Sequence, residues 1–221
     1  MGAGDGKHRT RGDTGMTQRD AERQHLLEQR LQELLDKEEI RQAMYAYARG
    51  TDRCHRELIA DAYHEDAWDD HGSFRGGRDV VVETIYGRRA GTSNSMHHLG
   101  NILIELHGDK ANVETYFMAC QSLDLDGKTY TRMRAGRYLD RFERRDSRWR
   151  IARRMVVDDW SRLDKVVAVA PSVTSECRSG TRDLLDPSYE LSNFTHVFHN
   201  GPPAGATINH NERTEHDGLS L

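Results

Sequence analysis

The chain has 221 residues, the span of one ordinary domain, and its apolar fraction of 36% is low enough that part of it should lie outside a packed core. Thirty-two basic residues against thirty-six acidic ones leave a formal charge of −4, and neither sign gathers on one segment strongly enough to form a nucleic-acid surface. Cys54, Cys120 and Cys177 are far apart and without CxxC spacing, which argues against a disulfide framework or a zinc site and fits a reducing, cytoplasmic setting.

Residues 1–20 carry little that could be buried and read as a disordered tail, with neither a secretory signal nor a membrane anchor. From Ala21 the pattern is helical: Leu27, Leu31, Leu34 and Leu35 recur at helical spacing, and Ile40, Met44 and Tyr47 continue it. Gly50 is expected to break this helix, leaving Asp52 just past the break. A second short helix is predicted from Glu57 to His64, a short strand at Ala67-Trp68-Asp69, and a third helix capped by Asp79 that carries Val80, Val81 and Ile85. After Ser95 the period switches to two. Four strands follow, near 96–107, 111–123, 129–142 and 148–160, joined at Gly108-Asp109, Asp126-Gly127 and Asp146-Ser147. The arginines between Arg141 and Arg154 alternate with acids and read as a solvated sheet face.

This order predicts one α+β domain over residues 21–165, with three N-terminal helices packed on one face of a curved antiparallel sheet. Residues 166–221 form a C-terminal tail, disordered from residue 200. Its part with Leu184, Leu185, Tyr189, Leu191, Phe194, Val197 and Phe198 has enough apolar groups to dock on the body or on a neighbouring subunit.

Two residues stand out chemically. Simple strand alternation puts His98 on the face of Met96, Ile102, Ile104 and Leu106, and His97 on the opposite face with Asn101 and Glu105. His98 is therefore the predicted inward histidine, in need of a partner for its ring nitrogens. Asp52 follows an amphipathic helix, where the negative end of the helix dipole disfavours a carboxylate unless something else retains it. A satisfied core histidine and a solvated loop aspartate are the plain alternatives.

The segments Tyr47-Ala48-Arg49-Gly50-Thr51-Asp52, His98-Leu99-Gly100-Asn101 and Gly136 to Asp146 before Trp149 together resemble the SnoaL-like branch of the nuclear transport factor two superfamily, over about residues 33–162. The resemblance implies a cone-shaped α+β barrel of bent sheet closed by helices around a deep apolar pocket, as a homodimer or homotrimer. In its dehydratase and dehydrochlorinase members, an aspartate ending the first long helix orients a histidine on the first long strand; Asp52 and His98 hold those positions. The tyrosine five residues before the aspartate in bile-acid dehydratases matches Tyr47, although helical periodicity sets Tyr45 above Asp52 unless Gly50 turns the chain. The last-strand arginine that assists leaving-group departure in the dehydrochlorinase matches Arg154, whereas the bile-acid enzymes' arginine falls on Asp158.

The expected activity is that of a cofactor-independent lyase acting on an apolar cyclic or polycyclic oxygenated molecule, with no metal, nucleic acid or membrane partner. His98 would be the general base, Asp52 would stabilise its imidazolium, and Tyr47 or Arg154 would polarise the oxygen that gains charge. An isomerase or polyketide-cyclase-type enzyme would use the same pair. A non-catalytic assembly subunit, such as a dioxygenase small subunit, would not need it. A metal cluster of His64, Asp66, Asp69, Asp70, His71 and the His97-His98 pair is disfavoured, because adjacent strand histidines point to opposite faces.

Overall fold

Thr17 starts the first helix. Its hydroxyl accepts the Asp20 N–H while the Asp20 carboxylate accepts the Thr17 N–H, a reciprocal arrangement that satisfies donors the first turn leaves open. The computed structural model describes residues 17–167 and 178–191. Helix α1 (Gln18–Arg53) begins ahead of the predicted Ala21 and runs unbroken through Gly50, so Asp52 lies in its last turn and not beyond a break. Gly50 serves a different purpose. A Cβ there would come within 3.0 Å of Ile59 Cγ1, Ile59 N and Leu58 Cβ, so a bare α-carbon lets α2 (Arg56–Asp61) fold back closely. The turn between them is made by Cys54, left-handed at φ 53°, whose N–H returns to Gly50 O.

The first half of α1 is exposed, and burial begins at Asp36. The Asp36 carboxylate accepts Trp149 Nε1 at 3.0 Å and Arg144 Nη1 at 2.9 Å, which gives the buried indole the partner its donor requires. Ile40, Met44, Ile59, Val81 and Ile151 complete the apolar interior between helices and sheet, each contributing roughly 2 kcal/mol by leaving water.

The chain continues as β1 (Tyr63–Asp70), β2 (Arg75–Gly77), α3 (Arg78–Gly87), a 3₁₀ turn (Arg88–Gly91), β3 (Thr92–His107), β4 (Lys110–Leu125), β5 (Lys128–Arg145) and β6 (Arg148–Lys165). The second predicted helix is thus shorter than Glu57–His64, its end belonging to β1. Asp79 does not cap α3; Gly77 holds the cap position, and Asp79 sits in the first turn, where the positive end of the helix dipole favours it.

One six-stranded sheet has the spatial order β2-β1-β6-β5-β4-β3. β3 to β6 form the antiparallel meander that the two-residue period predicts, with tight turns at the three predicted places. β1 joins β6 in parallel, which makes the sheet mixed. The sheet bends where its ladders slip. Between Ala135 and Gly136 one residue of β6, Asp159, has no partner, and a Cβ on Gly136 would lie 2.0 Å from Val157 O. The concave face of this bend, under α1 and α3, holds the site.

Candidate active site

The inward face of β3 changes phase along the strand. Leu99 pairs with Phe117 and Ile102 with Thr115, so Gly100 and Asn101 together occupy the place of one residue, a β-bulge. Beyond it Ile102, Ile104 and Leu106 point inward; before it Ser95, His97 and Leu99 do. Simple alternation carried back from Ile102 therefore selects the wrong histidine. His98 is exposed on the outer face, and His97 is the one that turns toward α1. A glycine within a strand pattern is the usual mark of a bulge, and Gly100 is that mark here.

Asp52 projects from the last turn of α1 onto this stretch of β3. Its Oδ1 lies 2.6 Å from His97 Nδ1 and accepts Ser95 Oγ–H at 2.8 Å, while Oδ2 accepts the His97 backbone N–H at 2.7 Å. Burial alone would raise its carboxyl pKa, but the bonds from His97 and Ser95 outweigh burial and hold it below the usual range. An ionised carboxylate requires a donor, so Nδ1 carries the imidazole hydrogen. In the neutral ring Nε2 is then the acceptor, and it has no hydrogen-bond partner among the described residues.

His97 lines a narrow cavity together with Tyr47, His71, Phe117, Tyr138 and Arg182. Tyr47 is 1% exposed and its hydroxyl is pushed up to about 12, chiefly by burial, so it stays a hydrogen-bond donor. Tyr45 is 45% exposed, which settles the choice between the two tyrosines in favour of Tyr47. His71 follows β1 and is held from behind: its Nδ1 lies 3.2 Å from the buried Asp69, which also accepts Tyr63 Oη–H at 2.7 Å. Burial lowers the His71 pKa, so this ring is neutral. The sequence named His71 only within a disfavoured metal cluster; the signal for its present place is Asp69-x-His71, two residues apart and so able to share a side of an extended chain.

Arg154 does not line this cavity. Its guanidinium lies beneath it, bound to both oxygens of Asp140 at 2.7 Å and to Tyr63 Oη at 3.1 Å, with the Tyr47 and Tyr138 rings each 4.3 Å away. Every guanidinium nitrogen has a protein partner, so the expected role in assisting a leaving group is replaced by that of a buried support. Nor do the histidines and acids converge as a metal site: among the described residues no group of three His, Cys, Asp or Glu side chains is placed to share an ion.

The C-terminal segment also reaches the site. Arg182 donates to the carbonyls of Thr51 at 3.0 Å, Asp52 at 3.1 Å and Thr92 at 3.1 Å, answering the open carbonyls of the α1 terminus. Arg53 pairs with Asp186 at 2.9 Å, and Arg49 donates to Ser188 Oγ at 3.1 Å. The docking of this segment is thus mostly polar: of the predicted apolar groups Tyr189 docks, its ring 5.1 Å from the Arg49 guanidinium, Leu184 and Leu185 are exposed, and Phe194, Val197 and Phe198 lie outside the described residues.

A profile of the SnoaL-like domain matches residues 32–155, more than half of the chain. The chain belongs to the SnoaL-like family. A search of curated protein sequences finds no match. Among solved structures, this SnoaL-like chain is similar to hexachlorocyclohexane dehydrochlorinase LinA type 2, with 18% identity, 65% of this chain and 99% of that one covered, and a TM-score of 0.56. It is also similar to a protein provisionally described as a scytalone dehydratase from Novosphingobium aromaticivorans, with 24% identity, 64% and 95% covered, and a TM-score of 0.54. LinA type 3 from Novosphingobium barchaimii gives 18% identity, 63% and 95% covered, and 0.53. At these identities the likenesses establish the fold alone.

Proposed function

We propose that this SnoaL-like chain is a cofactor-independent lyase of the dehydratase type, with His97 in place of His98 as general base. The observation that carries this is the three-point hold on Asp52, which fixes the imidazole tautomer and leaves Nε2 available in a cavity lined by Tyr47 and aromatic rings. The dehydratase and dehydrochlorinase descriptions of structural relatives favour elimination over other uses of the same pair.

In the proposed reaction Nε2 takes a proton from the carbon beside a carbonyl, and the released electron pair forms a carbon–carbon double bond as the neighbouring C–O bond breaks. The imidazolium, stabilised by Asp52, returns its proton to the departing hydroxide on the same face, so water leaves and His97 is neutral again. Tyr47 donates to the oxygen on which charge builds. The cavity has a volume of about 30 Å³, room for one water, so a substrate must push aside the long side chains at its mouth.

Incubation with hydroxylated cyclic ketones, followed by the absorbance of a conjugated product, tests this directly. His97→Ala should lower turnover by about 10²–10⁴-fold while His98→Ala leaves it within about twofold of the parent. Full activity in His97→Ala would refute the assignment.

A further inference from the structure

Four arginines, Arg88, Arg132, Arg134 and Arg182, line the cavity that holds His97. Two of them are accounted for: Arg134 makes a paired bond to Asp158 at 2.7 and 2.8 Å, and Arg182 is spent on the carbonyls ending α1. Among the described residues neither Arg88 nor Arg132 forms an ion pair with a carboxylate, Asp158 acting on Arg132 only from a distance. Arg88 donates to Ser73 Oγ at 2.9 Å and lies over the Phe74 ring at 5.2 Å, and Arg132 donates to the neutral Gln121 Oε1 through both Nε and Nη2. Nearby acids are already engaged, Asp52 by His97 and Ser95, Asp69 by His71 and Tyr63, Asp158 by Arg134.

These charges oppose one another. The Arg88 and Arg132 pKa values are both lowered, first by burial and then by repulsion from Arg134, with Arg88 also repelling Arg132. Half-buried like charges raise the energy of the empty site, and the arrangement becomes favourable once an anion enters between them. The walls below are apolar and aromatic, formed by Ile85, Phe117, Ala119 and Tyr138.

We infer that the substrate is an anion, an apolar body bearing one oxyanion group, carboxylate or phosphate, that Arg88 and Arg132 hold at the mouth while the body lies against Phe117 and Tyr138. The inference rests on the acid–base reading above for the place of the site and adds to it the charge of the molecule. A planar guanidinium fork binds either oxyanion through two parallel N–H donors, and an amide of the same shape offers no such match. The oxyanion also sets the orientation, directing the apolar body toward His97.

Titration calorimetry on the full chain, with benzoate, phenyl phosphate and neutral benzamide, provides the test. At least one of the two anions should bind about tenfold or more tightly than benzamide and weaken steeply with added salt; which of them binds more tightly identifies the oxyanion. Arg88→Gln and Arg132→Gln, checked for an unchanged melting temperature, should each reduce anion affinity about tenfold, while Arg137→Gln on the outer face of β5 leaves it alone. Equal binding of benzamide, unaltered affinity in both cavity variants, or no binding of either anion would overturn the inference. The same titration on His97→Gln should still show anion binding, so failure of the general-base assignment and failure of anion recognition give different results.

Discussion

Asp52 does two things for His97, fixing its tautomer and compensating its charge, and Asp52→Asn removes both. The amide keeps the size of the carboxylate but offers the ring no negative charge, so His97 loses both the preference for hydrogen on Nδ1 and the stabilisation of its imidazolium. Turnover should fall about 10²-fold or more with the fold intact, measured by activity beside a circular-dichroism melt. His71 supports a second prediction. Its folded pKa lies below the ordinary 6.5, so on acidification the unfolded chain takes up this proton first. The stability present above pH 6.5 is therefore lost as pH falls below it, and His64, also lowered by burial, acts in the same direction. Melting temperatures between pH 7 and about pH 5 should decline, and less steeply in His71→Gln. At this scale the nearness of Asp52 to the start of β3 and the inward turn of Tyr47 could be read from the chain, as positions and not as roles. Arg182 could not, because its partners Thr51 and Asp52 are separated from it by more than half the chain and no local pattern joins them.

Among the elements, β3 shows why one histidine was exchanged for its neighbour. Period-two reasoning is exact only while the ladder is continuous, and a bulge at Gly100-Asn101 turns the side chains from Ser95 to Leu99 to the other face. The apolar residues that set the phase, Ile102, Ile104 and Leu106, all lie on the far side of that bulge from the histidines. The three N-terminal helices were legible, but Gly50 was read as a break because helix propensity alone cannot show the close approach of Ile59. Gly136 tests the bend. Gly136→Ala places a methyl group against Val157 O at a distance no contact allows, so β5 and β6 must part locally. A loss of about 3 kcal/mol is expected in urea denaturation, compared with little change for Gly87→Ala, where a Cβ meets nothing within 4 Å.

Over the whole molecule, the order of helices and meander was written in periodicities of 3.6 and two, which is why the α+β architecture was readable without coordinates. The parallel seam between β1 and β6 was not, since short strands pair through long-range contacts that leave no local trace. A larger hollow of about 1250 Å³ lies among Trp68, Leu103 and Met155, and neither Asp52 nor His97 lines it.

The reach of Arg182 across the end of α1 has a practical side. Because a residue so late in the chain grips the carbonyl of Asp52 itself, the segment 178–191 is a clasp on the helix end that carries Asp52. A chain shortened after residue 167 should still fold around Trp149 and Phe142, melting cooperatively at a somewhat lower temperature. Its last α1 turn, however, should exchange amide hydrogens faster and hold His97 less firmly, so trimming the tail to obtain a tidier protein would loosen the contact between Asp52 and His97.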